Sequence, residues 1–142
     1  VSPIKRPESS LRGRVLVVDD EAAIRRVLGR MLGQRHEVVT AASGREAKAL
    51  LERDGAFDVI LCDVMMPELT GVDLHCWLVG FSPGLARRLV FISGGAFTPS
   101  ASDYLATVSN LRLDKPFDPV QLLELVTRLV RTARGELAAT GR

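Results

Sequence analysis

With 142 residues, 46% of them hydrophobic, the chain is long enough for one ordinary domain with a sizeable buried core. Its formal charge is only +2 and the Lys and Arg residues are dispersed, which argues against nucleic-acid binding by a concentrated basic face. There is no apolar run near the roughly 18 residues of a membrane span. The opening "VSPIKRPESSLRGR" also lacks the apolar centre of a signal peptide, so a soluble, cytoplasmic chain with no membrane contact is expected.

In chain order, residues 1–12 read as a linker and residues 13–134 as the folded unit. "VLVV" at 15–18 is a continuously apolar run of the kind found in strands covered on both faces. Ile24, Val27, Leu28, Met31 and Leu32 then follow the spacing of one helix face. After a second strand, "EVVTA" at 37–41, Ser43 and Glu46 form an S-x-x-E capping box for a helix that buries Ala47, Leu50 and Leu51. The third strand is "VILC" at 59–62. A weaker helix carries Leu74, Trp77, Leu78 and Phe81 until "SPG" breaks it. "LVFI" at 89–92 is the fourth strand, a helix from about Pro99 holds Ala101, Leu105 and Val108, and "LRL" at 111–113 is the fifth strand. Asp118 as N-cap and Pro119 at the first helical position open the last helix, with Leu122, Leu123, Val126, Leu129 and Val130 inward. Residues 135–142 read as a flexible tail.

Strands alternating with helices imply parallel pairing through right-handed crossovers, hence an α/β fold with a five-stranded sheet, five helices and both faces covered. Ligands in such sheets bind beyond the carboxyl ends of the strands. Those ends carry Asp19 and Asp20 after the first strand, Asp63 after the third, Ser93 with Gly94 and Gly95 after the fourth, and Asp114, Lys115 and Pro116 after the fifth. Taken singly each has an ordinary explanation: Asp19 and Asp20 suit a helix N-terminus, and Ser93 and Lys115 suit turns. If the strand order is 2-1-3-4-5, however, three carboxylates, a hydroxyl and an ammonium meet at one edge. Clustered carboxylates call for a cation, and hard oxygen ligands with room for water suit Mg2+. No His or Cys cluster offers a zinc site, and Cys62 and Cys76 read as reduced thiols. His36 and His75 read as unremarkable residues on loop and helix surfaces.

The motifs "VLVVDDE", "DVILCDVMMPELTG", "FISGG" and "DKPF", in this order and spacing, resemble the receiver domain of two-component response regulators over about residues 13–134. The resemblance implies a flavodoxin-like, doubly wound sheet of order 2-1-3-4-5. It makes Asp63 the phosphoryl acceptor, supplied by a sensor histidine kinase or a histidine phosphotransfer protein. It also implies Mg2+ held by Asp20, Asp63 and the backbone carbonyl of Met65, with Asp19 acting through water. Lys115 would pair with the phosphoryl oxygens, Ser93 would hydrogen-bond the phosphoryl group, and the Lys115–Pro116 bond would be cis. Charge neutralisation and positioning carry such chemistry. The change of surface on phosphorylation would be read by an unspecified protein target.

Two positions depart from the family pattern. The aromatic residue usual three positions before the lysine is Arg112, which is costly to bury unpaired, so the usual inward-turning aromatic switch is not expected. Tyr104 and Phe97 are the candidate substitutes, although both also read as packing residues. The positions that flank attacking water are Met65 and Gly95, neither able to orient it, so apolar shielding by Met65 is expected to set the phosphoryl lifetime.

The phrasing "FISGGAFTP" and "DKPFDP" points to the receiver segment of a hybrid histidine kinase, with a stand-alone regulator as the alternative. A phosphorylation-independent pseudo-receiver would lack an acidic residue or the lysine, and none is lost. A haloacid-dehalogenase-type phosphatase would carry D-x-D on its first strand. Nucleotide binding would need a glycine-rich phosphate motif after that strand.

Overall fold

The computed structural model describes residues 11–95 and 97–140. Strands β1 (Arg14–Val18), β2 (Glu37–Ala41), β3 (Val59–Asp63), β4 (Leu89–Ser93) and β5 (Arg112–Asp114) form one parallel sheet in the order β2-β1-β3-β4-β5. The helices are α1 (Ala22–Leu32), α2 (Gly44–Arg53), α3 (Gly71–Phe81), α4 (Pro83–Arg87), α5 (Pro99–Thr107) and α6 (Pro119–Thr140). The continuously apolar runs are the three central strands, and every residue of β3 and β4 is buried. Edge strands β2 and β5 are partly exposed, as their mixed sequences require.

Successive side chains of a strand point to opposite faces, and the core divides accordingly. Val15, Val17, Val59, Leu61, Val90 and Ile92 pack with Leu28 and Leu32 of α1 and with Leu122, Val126 and Val130 of α6. On the other face Leu16, Val18, Ile60, Cys62, Leu89 and Phe91 meet α2 through α5. Ser43 caps α2, its Oγ accepting from Glu46 N at 3.0 Å, as the S-x-x-E pattern predicts. An unforeseen capping box opens α3: Asp73 N donates to Thr70 Oγ1 at 3.1 Å and Thr70 N donates to Asp73 Oδ2 at 3.0 Å.

Three expectations are corrected. The helices number six, because "SPG" ends α3 and also starts α4: Ser82 Oγ accepts from Leu85 N, with Pro83 at the first helical position. Helix α6 runs on through Thr140 where a flexible tail from residue 135 is expected; Ala133 is buried, and Arg134 Nε donates to Asp58 Oδ1 at 2.8 Å. The linker expected over residues 1–12 lies outside the described residues except for Leu11 and Arg12, and Leu11 packs against the core. No helix among the described residues is long and apolar enough to cross a membrane.

The third correction concerns the histidines, for both are buried. Gly13 N donates to His36 Nδ1 at 3.0 Å, so Nδ1 carries no proton; Nε2–H then donates to Thr127 Oγ1 at 3.0 Å. The neutral ring ties the entry of β1 to α6 across the end of the sheet. Sequence distance hid this, since Thr127 lies 91 positions away.

Burial, reinforced by the charges of Arg35 and Arg12, depresses the His36 pKa below its ordinary 6.5. The unfolded ring therefore takes up a proton first as pH falls, so the stability from this contact is present above about pH 6.5 and lost below it. Urea unfolding between pH 8 and pH 5 should show the wild type losing about 1 kcal/mol more than His36→Gln. Parallel pH profiles for the two proteins would remove His36 from this account.

Candidate functional site

The carboxyl ends of β1, β3, β4 and β5 converge on a cleft of about 280 Å3 lined by Asp20, Glu21, Asp63, Met65, Ser93 and Lys115, among others. Register accounts for the convergence. β1 pairs with β3 up to Val18 and Cys62, so Asp19 and Asp63 leave the sheet side by side. Ser93 pairs with Asp114, and Lys115 N donates to Ser93 O at 2.8 Å, bringing the lysine back over the same edge. The Lys115–Pro116 bond is cis.

The turn after β3 is held from below. Gly71 N donates to Val64 O at 2.9 Å, and a Cβ on Gly71 would collide with the carbonyl oxygen of Asp63. Only glycine lets α3 start this close to the acidic strand end. Across the cleft Ser93 Oγ donates to Gly95 O at 3.2 Å, and Gly95 has a φ of 145°, a conformation open to glycine and not to other residues.

Asp19, Asp20 and Asp63 each offer a carboxylate oxygen, and these oxygens all lie within 4.8 Å of one another. The single lysine between them is overdrawn: Lys115 Nζ lies 3.2 Å from Asp19 Oδ2, 3.2 Å from Glu21 Oε1 and 3.9 Å from Asp63 Oδ2. Burial, and next the charge of Asp19, push the Asp63 carboxyl up to about 6, against the opposing pull of Lys115. Burial works against the Lys115 ammonium too, but Asp19 and Asp63 outweigh it and raise its pKa.

Asp19 is fully buried, and its Oδ2 depends on the Lys115 ammonium 3.2 Å away, which it shares with Glu21 and Asp63. One ammonium shared among several carboxylates leaves negative charge in excess, which further positive charge would offset. Three hard oxygen donors within 4.8 Å of one another, with a single ammonium among them, fit a divalent cation.

Every side chain that sequence reasoning assigned to the site reaches this cleft or its floor: Asp19, Asp20, Asp63, Ser93 and Lys115. Met65 lies at the rim, 37% exposed. Sequence reasoning missed Glu21, although it completes the acidic triplet "DDE" and its exposed carboxylate holds the lysine. Arg112 is exposed, and its guanidinium lies over the Phe97 ring at 6.0 Å, so no arginine is buried at the position of the usual aromatic.

The family model described as response regulator receiver domain matches residues 15–127. The chain is 37% identical over 126 residues to the hydrogenase transcriptional regulatory protein HoxA of Cupriavidus necator, covering 86% of this chain and 25% of that protein. It is 34% identical over 128 residues to the sensor kinase CckA of Brucella abortus, covering 89% of this chain and 13% of that protein. The chain thus spans a quarter or less of these two relatives. Among solved structures it is similar to a CheY-like response regulator receiver domain protein from Methanospirillum hungatei JF-1. There the TM-score is 0.76 at 27% identity, covering 88% of this chain and 98% of that one.

Crowded carboxylates make the metal-free protein less stable than its packing allows. At pH 7.5 in chelator, Asp63→Asn should raise the free energy of unfolding by about 1–2 kcal/mol. Millimolar Mg2+ should then stabilise the wild type more than the variant and narrow the gap. Equal stability of both proteins with and without Mg2+ would show that the carboxylates neither repel as described nor hold the ion.

Proposed function

The chain belongs to the response regulator receiver domain family of two-component signalling, and on that premise we propose that Asp63 accepts a phosphoryl group from a phosphohistidine in a Mg2+-dependent reaction. The observation that carries the reading is the trio Asp19, Asp20 and Asp63 gathered around the one Lys115 ammonium. An Asp63 oxygen attacks the phosphorus, the P–N bond to the donor imidazole breaks as the P–O bond forms, and the departing imidazole takes up a proton. With a pKa of about 6, Asp63 is mostly ionised at neutral pH and ready to act as the nucleophile.

Asp20, Asp63 and the Met65 carbonyl would hold Mg2+ directly and Asp19 through water; when bound, the ion neutralises charge on the transferring group. Lys115 is placed to leave Glu21 for a phosphoryl oxygen, exchanging one anionic partner for another. Ser93 Oγ, now turned to Gly95 O, can redirect its proton to the phosphoryl group. The phosphorylated cytoplasmic domain then presents a changed surface to a protein target, and its donor is a sensor histidine kinase or histidine phosphotransfer protein.

For the whole protein, we retain the receiver segment of a hybrid histidine kinase, supported by the likeness to a sensor kinase over 89% of this chain. A second reading, the receiver of a transcriptional regulator, is favoured by the likeness to HoxA. The length and remaining domains of the parent gene discriminate between them.

Incubation with acetyl phosphate and Mg2+ should add one phosphoryl mass to the wild type, with none added in chelator or in Asp63→Asn. No gain in the wild type, together with no Mg2+ binding, would leave an interaction-only module as the better reading. The exposed Met65 side chain shields the acceptor without a group to orient water. Met65→Asn should therefore shorten the phosphoryl lifetime severalfold, followed as loss of the added mass; an unaltered lifetime would discard the shielding account.

A further inference from the structure

The parallel sheet has a second end, away from the acidic cleft. There a recess of about 270 Å3 lies between the end of α4, the segment 109–111 that leads into β5, and the second half of α6. Leu89 and Val90 at the start of β4, both buried, belong to its lining. Ser93 stands at the opposite end of that strand, about 13 Å along it, so the recess and the acidic cleft are separate places. Its volume is close to the lower end of the roughly 300–1,000 Å3 usual for ligand pockets, a size for a compact molecule.

The charges around the recess do not balance. Arg87, Arg88 and Asp58 all line it. Asp58 is already committed: its Oδ1 accepts from Arg134 Nε at 2.8 Å, and its Oδ2 accepts from Arg134 Nη2 at 3.1 Å and from Arg14 N at 2.8 Å. That carboxylate is spent on Arg134. Arg87 and Arg88 form no ion pair among the described residues. Arg88 is held in place, its Nη1 donating to Phe57 O at 3.0 Å, while its Nε is buried with no acceptor among the described residues. A partly desolvated guanidinium short of acceptors is costly, and an anion seated against it offsets that cost.

Much of the remaining lining is apolar. Leu129 and Ala133 of α6 contribute to it, and so does Leu111, a large apolar side chain left 48% exposed that a ligand in the recess would cover. No residue of the lining belongs to the first turn of a helix, so an anion there is held by side chains and not by a helix N-terminus. Guanidinium groups pair in plane with a carboxylate through two parallel hydrogen bonds. We propose that this recess binds a small monocarboxylate with an apolar body, the carboxylate on Arg87 and Arg88 and the body against Leu111, Leu129 and Ala133. The site is independent of the acceptor reading of Asp63.

Benzoate, a carboxylate on a compact ring, is the probe. Titrated into the isotope-labelled chain at neutral pH in about 0.15 M chloride, it should shift the backbone amide resonances of residues 87–90 and 109–111 and saturate, half-maximal at about 1 mM. Benzyl alcohol keeps the ring without the charge, and inorganic phosphate keeps a charge without the ring; each should bind about tenfold more weakly or less. Arg88→Gln should weaken benzoate about tenfold, and Arg87→Gln and Leu111→Ser severalfold. Arg87 and Leu111 are exposed, so those two variants decide the matter even where Arg88→Gln fails to fold. Shifts that never saturate, or equal benzoate affinity in wild type, Arg87→Gln and Leu111→Ser, would overturn the proposal. Benzyl alcohol binding as tightly as benzoate would remove the arginines from it, and phosphate binding as tightly would overturn the assignment to an apolar carboxylate.

Discussion

Repulsion among Asp19, Asp20 and Asp63 is the constraint around which this molecule is arranged. Three carboxylates within reach of one another, one of them wholly buried, are tolerated because Lys115 stands among them and because the sheet holds them there. Neither compensation is complete. Asp63 keeps a raised pKa, and Asp19 shares its one ammonium with Glu21 and Asp63. A site left short of positive charge favours whatever brings it, and a cation is the simplest candidate. The energetic cost of the crowded carboxylates is borne by the apolar interior behind them, where β1, β3 and β4 are buried along almost their whole length.

Rigid placement follows from that burial. The carboxylates extend from strands whose pairing runs to the last residue before the site, and Gly71 lets α3 brace the turn beneath Asp63. Phosphoryl transfer needs little covalent help from a protein but depends on position and charge, and a central parallel sheet provides both. The other side of the cleft is built differently. Ser93 and Gly95 close that side through a single hydroxyl-to-carbonyl hydrogen bond, and the helix that follows buries only Ala101 and Leu105.

Arg112 shows how residue chemistry decides what lies at the edge of the sheet. An arginine at the edge strand stays in water and stacks on Phe97, because guanidinium burial without a partner is expensive. Nearby, Tyr104 and His75 make a polar contact, two residues with no mutual signal in the sequence. Similar reasoning covers His36, whose partners Gly13 and Thr127 come from opposite ends of the domain.

What the sequence determined by itself was the alternation of strands and helices and which charged residues stand at the strand ends. Continuous apolar runs marked the central strands, caps and periodicity marked most helices, and charged residues at strand ends marked the cleft, because all of these are local consequences of residue type and spacing. The strand order came from family resemblance, since periodicity carries no information about which strands are neighbours. Tertiary structure alone decided the rest: the extra helix after Ser82, the helical continuation past residue 134, the grip of Glu21 on Lys115, and the burial of both histidines. A histidine's environment is made by groups distant in the chain, and whether its ring is solvated or hydrogen-bonded in the core depends on packing that no local pattern encodes.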